Sequence, residues 1–135
     1  MQLSHIETPR RLHGMNIALW ISQGVLAVVF LISGTLKSTQ SKDRMIATGQ
    51  TGVVFFPLPV IRIVAALELA AVAGLLLPGL TGIAPELTPV AAIGLAVVMV
   101  GAAISHTRLK EVRAVSTNVV LFALCVFVAW GRLGV

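Results

Sequence analysis

Glu68 is the one carboxylate of this chain set inside a long apolar stretch, Val60 to Leu77. A charge near mid-bilayer costs on the order of 2.5–3.5 kcal/mol on insertion scales, so it persists where it is paired, hydrogen-bonded or used. Arg62 shares the stretch, but six residues at helical pitch place it about 120° away around the axis. The partner of Glu68 is therefore expected on another helix. Lys37 closes the first apolar run, Arg62 opens the second, His106 ends the third and Asn118 opens the fourth. In an antiparallel bundle all four lie at one membrane side, the half into which Glu68 also falls. A carboxylate, an imidazole, an amide and two cations can hold a ligand headgroup, relay a proton, or lock helices together as a buried ion-pair network. Lys37, Arg62 and His106 also suit interfacial anchoring, with apolar stems in lipid and polar tips at the headgroups.

Other chemistries have no support. There is no Ser-His-Asp set, no pair of carboxylates in one run, no glycine-rich phosphate loop and no zinc-ligand spacing. The single cysteine, Cys125, cannot form an internal disulfide or a CxxC pair and reads as a small buried hydrophobe. No catalytic residue and no metal ligand is assigned, and the chain reads as a non-enzyme. Ligand-binding candidates are Glu68, His106, Lys37, Arg62 and Asn118.

The elements that must position these residues are transmembrane helices. Hydrophobic residues make up 57% of the 135 and charged residues 11%, with a mean hydropathy of +0.98. A soluble domain carries about 25% charged residues, so this surface suits lipid. Apolar runs at about 16–36, 60–77, 88–105 and 115–131 each approach the roughly 20 residues that cross a bilayer as helix. They lack the alternation of barrel strands. The expected fold is an all-α, polytopic, four-transmembrane-helix bundle in one domain, residues 15–135, preceded by a flexible tail, 1–14, with Met15 a second candidate start. Arg10 and Arg11 precede the first run as in a signal peptide, but the run is long for one and no A-x-A site follows, so a retained helix is expected. Loop one, Ser38 to Pro59, has room for a short interfacial segment. Pro78, Gly79, Gly82, Pro85 and Pro89 punctuate a tight second loop.

Ala66, Ala70 and Gly74 on the second run, and Ala91, Gly94, Gly101, Ala102 and Ala103 on the third, are expected at close helix contacts, with the second helix central; such faces also suit pairing with a second copy. Away from the Glu68 half, the spans keep mainly Gln23, with Arg132 at the edge, so polar side chains are expected to gather in one leaflet. Loops one and three carry Lys37, Lys42, Arg44, Arg108, Lys110 and Arg113, against Arg10, Arg11 and Arg132 opposite. The positive-inside rule then puts those loops in the cytoplasm and both termini outside. The net charge of +5 sits in short juxtamembrane stretches, which fits anionic headgroups and not nucleic acid.

The run Gly74 to Ala92, together with Ser33-Gly34 and Lys37, Arg62 with Glu68-Leu69, Gly101-Ala102-Ala103 with His106, and Asn118, resembles the DoxX-like family. The resemblance covers nearly everything from Met15 onward, in order and spacing. It implies four transmembrane helices in a bacterial cytoplasmic (inner) membrane. Proteins related to that family include a subunit of a thiosulfate:quinone oxidoreductase and a membrane component of an oxidative-stress complex. The resemblance thus points to a non-catalytic membrane subunit or scaffold of a redox-related complex, binding a quinone or lipid and docking a redox partner protein. Two alternatives stand beside it: a small proton-coupled transporter using Glu68, and a structural assembly factor. Small multidrug transporters are also four-helix proteins with one membrane glutamate, but theirs lies in the first helix.

Overall fold

The computed structural model describes residues 2–134, with side chains described for 12–133. Helix α1 runs Gln2–Thr39, α2 Lys42–Ala47, α3 Leu58–Thr81, α4 Leu87–Arg108 and α5 Val112–Gly134, with a 3-10 turn at Thr51–Phe55 between α2 and α3. No strand occurs among the described residues. Four helices are long and apolar enough to span a membrane: Leu12–Thr39, Leu58–Thr81, Leu87–Arg108 and Val112–Leu133. Each outruns its predicted boundaries by a few residues. Residues 2–14, expected as a tail, continue α1; once a helix is nucleated, extension adds one hydrogen bond per residue fixed.

The spans alternate up and down. Around the bundle the order is α1, α3, α4, α5, with α5 closing back on α1. Helix α3 is therefore one side of a ring and not the central helix expected. Leu26 and Phe30 of α1, Leu75 of α3, Leu95 and Met99 of α4, and Leu121, Cys125 and Val128 of α5 form the core. Cys125 is buried as expected.

The small residues divide differently from expectation. Gly74 does meet α4, where a Cβ would lie 2.9 Å from Ala91. Ala66, Ala70 and Gly94 are exposed on the outer surface. Lipid-facing and core-facing positions are both apolar here, so composition does not mark which face is inside. The close approach of α1 to α3 is made by Gly34, where a Cβ would stand 2.9 Å from the Leu69 side chain. That contact brings the C-terminal turn of α1 against the first half of α3.

Pro78 was expected to end the second span at Leu77, yet α3 continues to Thr81 and is capped by Gly82 in the left-handed conformation (φ 73°). Proline lacks the N–H that would bond the carbonyl four residues back, that of Gly74. The Thr88 hydroxyl of α4 donates to that carbonyl at 2.8 Å. Neighbouring hydroxyls make proline tolerable inside a membrane helix in this way.

Candidate ligand-binding chamber

Lys37 and Glu68 form an ion pair at 2.8 Å, the Glu68 side chain wholly buried and that of Lys37 14% exposed. The partner of Glu68 is thus on another helix, as the angular spacing predicts. Lys37 Nζ also donates to Ser33 Oγ one turn back, at 3.0 Å. Glu68 Oε2 has no hydrogen-bond partner among the described residues. Arg62 does not reach Glu68. Its Nη1 donates to the Lys37 carbonyl at 2.5 Å, one of the last carbonyls of α1, which have no acceptor role left within the helix. A cation there also complements the negative end of the helix dipole.

His106 turns away from Glu68. Its Nδ1 lies 2.7 Å from Glu111 Oε1, and the same oxygen accepts from the Thr51 hydroxyl at 2.7 Å. The turn between α4 and α5 makes this contact. Glu111 N–H bonds the His106 carbonyl and Lys110 N–H that of Thr107, with Lys110 left-handed at φ 59°. This paired closure is a Schellman motif, and it folds Glu111 back over the last turn of α4. The His106 and then the Thr51 hydrogen bond hold the Glu111 carboxyl below its ordinary value of 4.5.

Loop one is a lid. Ser41 Oγ caps α2 by accepting from the Arg44 N–H. Met45 and Val53 are buried together with Ile61 of α3. Lys42 Nζ donates to the Phe56 carbonyl at 2.7 Å, and Gln50 reaches Ser33 Oγ at 3.4 Å. The segment therefore holds a short helix and a 3-10 turn, tied to α1 and, through Thr51, to the α4–α5 turn.

Beneath the lid lies a chamber of about 410 Å³, largely apolar, with Lys37, Ser33, Gln50, Ser105, His106 and Asn118 among its walls. That volume is in the range of small-molecule sites, which combine apolar walls with a few placed polar groups. Asn118 is 7% exposed, and its Nδ2 has no hydrogen-bond partner among the described residues. Of the five sequence candidates, Lys37, His106 and Asn118 border the chamber; Glu68 stands behind Lys37 as its counter-ion, and Arg62 secures the end of α1. Sequence reasoning missed Glu111, Thr51 and Gln50, which lie in loops. The five-residue spacing of His106 and Glu111 across a helix end was the available signal. Among the described residues, no three His, Cys, Asp or Glu side chains converge as metal ligands do.

A second polar cluster lies in the opposite leaflet, where few such groups were expected. Arg132 Nε donates to Gln23 Oε1 at 2.7 Å and Nη1 to Asn16 Oδ1 at 2.8 Å. Gln23 Nε2 donates to the Leu75 carbonyl at 2.5 Å, and the guanidinium lies 5.4 Å over the Trp20 ring. Polar side chains are therefore not confined to one half of the bundle. Arginine's long reach draws a group expected at the membrane edge into contact with α1.

The DoxX-like family model matches residues 21–128, taking in the second and third spans whole, most of the first and fourth, and every candidate residue. No curated protein and no solved structure matches the chain.

Proposed function

The chain belongs to the DoxX-like family and is a multi-pass integral membrane protein, and from that premise we propose that it is a non-catalytic membrane subunit whose chamber binds a quinone in service of a redox partner protein. The observation that carries this reading is the buried, unpartnered Asn118 amide at the wall of an apolar chamber that Lys37 also lines. A buried donor without an acceptor costs about 1–3 kcal/mol, a cost that a ligand oxygen would relieve. Glu68 neutralises Lys37 at 2.8 Å, so the chamber offers hydrogen-bond donors without the uncompensated positive charge a lipid phosphate requires. A quinone head fits that chemistry: an uncharged ring with two accepting carbonyls. Lys37 and Asn118 would donate to the carbonyls, Phe30, Leu121 and Met99 would pack on the ring, and the lid would keep water out. When bound, a quinone supplies a carrier for two electrons and two protons. The excess of Lys and Arg in loops one and three supports a cytoplasmic lid, and the family supports a bacterial inner membrane.

The transporter reading asks Glu68 to load and release protons alternately, whereas its burial and its pairing with Lys37 favour a fixed role. Loss of proton-coupled uptake on Glu68→Gln would revive transport. An assembly factor needs no chamber donor at all. Titration of the purified chain with a tail-less dimethoxy-methyl-benzoquinone separates these readings. Saturable binding that weakens at least tenfold in Asn118→Leu supports the quinone site; absence of binding to the wild-type chain sinks it.

A further inference from the structure

The chamber is bounded differently on its loop face and on its helix faces. On the loop face, the lid is held by the Thr51–Glu111 and Gln50–Ser33 contacts. On the α1–α3 side, Gly34 lets the helices meet at Leu69 and Ala65. Between α3 and α4 the situation differs. These helices are in close contact near the far leaflet, where Gly74 faces Ala91 and Thr88 bonds the Gly74 carbonyl. Toward the lid both helices line the chamber, α3 with Val60 and Val64 and α4 with Val97 and Gly101. Val60 is 38% exposed, Val97 67% and Phe56 40%, yet all three line the chamber. Val60 and Val97, one on each of two spans, thus line the chamber while staying exposed on the outer surface.

We propose that the gap between α3 and α4 is a lateral portal, through which an amphiphile reaches the chamber from the bilayer and along which its hydrocarbon tail lies while its head is bound. This inference rests on the proposed quinone site and adds the ligand's class and route: a long-tailed, membrane-dissolved molecule, not a water-soluble one. The portal walls are valines and a glycine, which give a tail apolar contact and no polar group to satisfy. A separate apolar groove of about 420 Å³ runs between α4 and α5, lined by Ala103, Ile104, Val119 and Phe122. It shares only Met99 and Asn118 with the chamber, so a tail seated there would have to pass these two buried side chains.

The test uses the full chain in nanodiscs and two probes with the same dimethoxy-methyl-benzoquinone ring, one without a tail and one with two isoprene units ending in a photoreactive diazirine. The expected result is labelling of peptides containing Val60, Val64 or Val97. Val97→Trp and, from the opposite wall, Val60→Trp should weaken the tailed ring at least tenfold more than the tail-less ring. Labelling at Ala103 or Val119 instead, or equal losses for both rings, overturns the portal while leaving the chamber reading intact. Failure of the tail-less ring to bind the wild-type chain removes the chamber reading and the portal with it. Labelling of the wild-type chain needs no variant, so a poorly folding tryptophan substitution does not blunt the result.

Discussion

The two polar clusters of this bundle occupy opposite leaflets and solve the problem of burying charge in different ways. Near the lid, Lys37 is matched by a carboxylate at 2.8 Å, and the pair stands beside open volume. Near the far face, Arg132 is met by neutral amides and an indole face, and neither cavity described borders that cluster. Tryptophans collect at this end too, Trp20 under the guanidinium and Trp130 exposed, as in an interfacial belt. Full neutralisation next to space suits a site that receives an uncharged guest. A cation shared among neutral amides suits an anchor of α5 to α1, with Arg132 Nη2 buried and without a partner among the described residues. Charge in a membrane helix is thus informative only together with what lies beside it.

The comparison can be broken at either end. The largest effect is expected for Glu68→Ala, which strands Lys37 without its counter-ion; breaking a buried pair costs about 3–5 kcal/mol. Unfolding in mixed micelles should show that loss, and the double variant Lys37→Met with Glu68→Met should recover most of it. A double variant as unstable as Glu68→Ala would mean the pair is not the source. Gln23→Leu comes next. It removes both the acceptor of Arg132 and the donor to Leu75, for about 1–3 kcal/mol, and should leave benzoquinone affinity unaltered. A fall in affinity would join the two regions that the structure separates. Asn118→Leu should reverse that pattern, with a stability change within about 1 kcal/mol because no protein hydrogen bond is lost, but a tenfold loss of ring binding.

The smallest effect concerns the lid. The Thr51 hydrogen bond, second after that of His106 among the causes that hold Glu111 below its ordinary value of 4.5, ties the ionised carboxylate to the lid. That contribution is present above the ordinary value and is lost as pH falls through the depressed one. Amide exchange across residues 50–56, compared at matched intrinsic rates, should therefore quicken as pH falls below the ordinary Glu111 value of 4.5, and Glu111→Gln should remove most of that difference. An unchanged pH profile in the variant would dissociate the lid from Glu111.

Much of the architecture was legible because lipid imposes a length on every apolar run. The pairing of Glu68 with another helix followed from angular arithmetic on Arg62. What stayed hidden shares a physical cause: hydropathy does not distinguish a side chain facing lipid from one facing another helix. Ala66 and Ala70 therefore looked like contact residues and are exposed, while Ala65 beside them is buried. Loop chemistry was equally opaque. Glu111 joins His106 only because Lys110 takes a left-handed conformation, which no hydrophobic pattern encodes. Arg132 appeared to sit at an edge; its side chain reaches 2.7 Å from Gln23, on another helix.

The proline within α3 has a consequence for how the protein is made. The carbonyl that Pro78 leaves bare is satisfied by Thr88, a residue synthesised ten positions later, on the following span. Until that hydroxyl arrives, the third helix carries an unanswered polar group that the bilayer core tolerates poorly. Helices α3 and α4 are thus best delivered to the membrane together, as a hairpin leaving the translocon in one event. Thr88→Val should then show itself first in the yield of inserted protein.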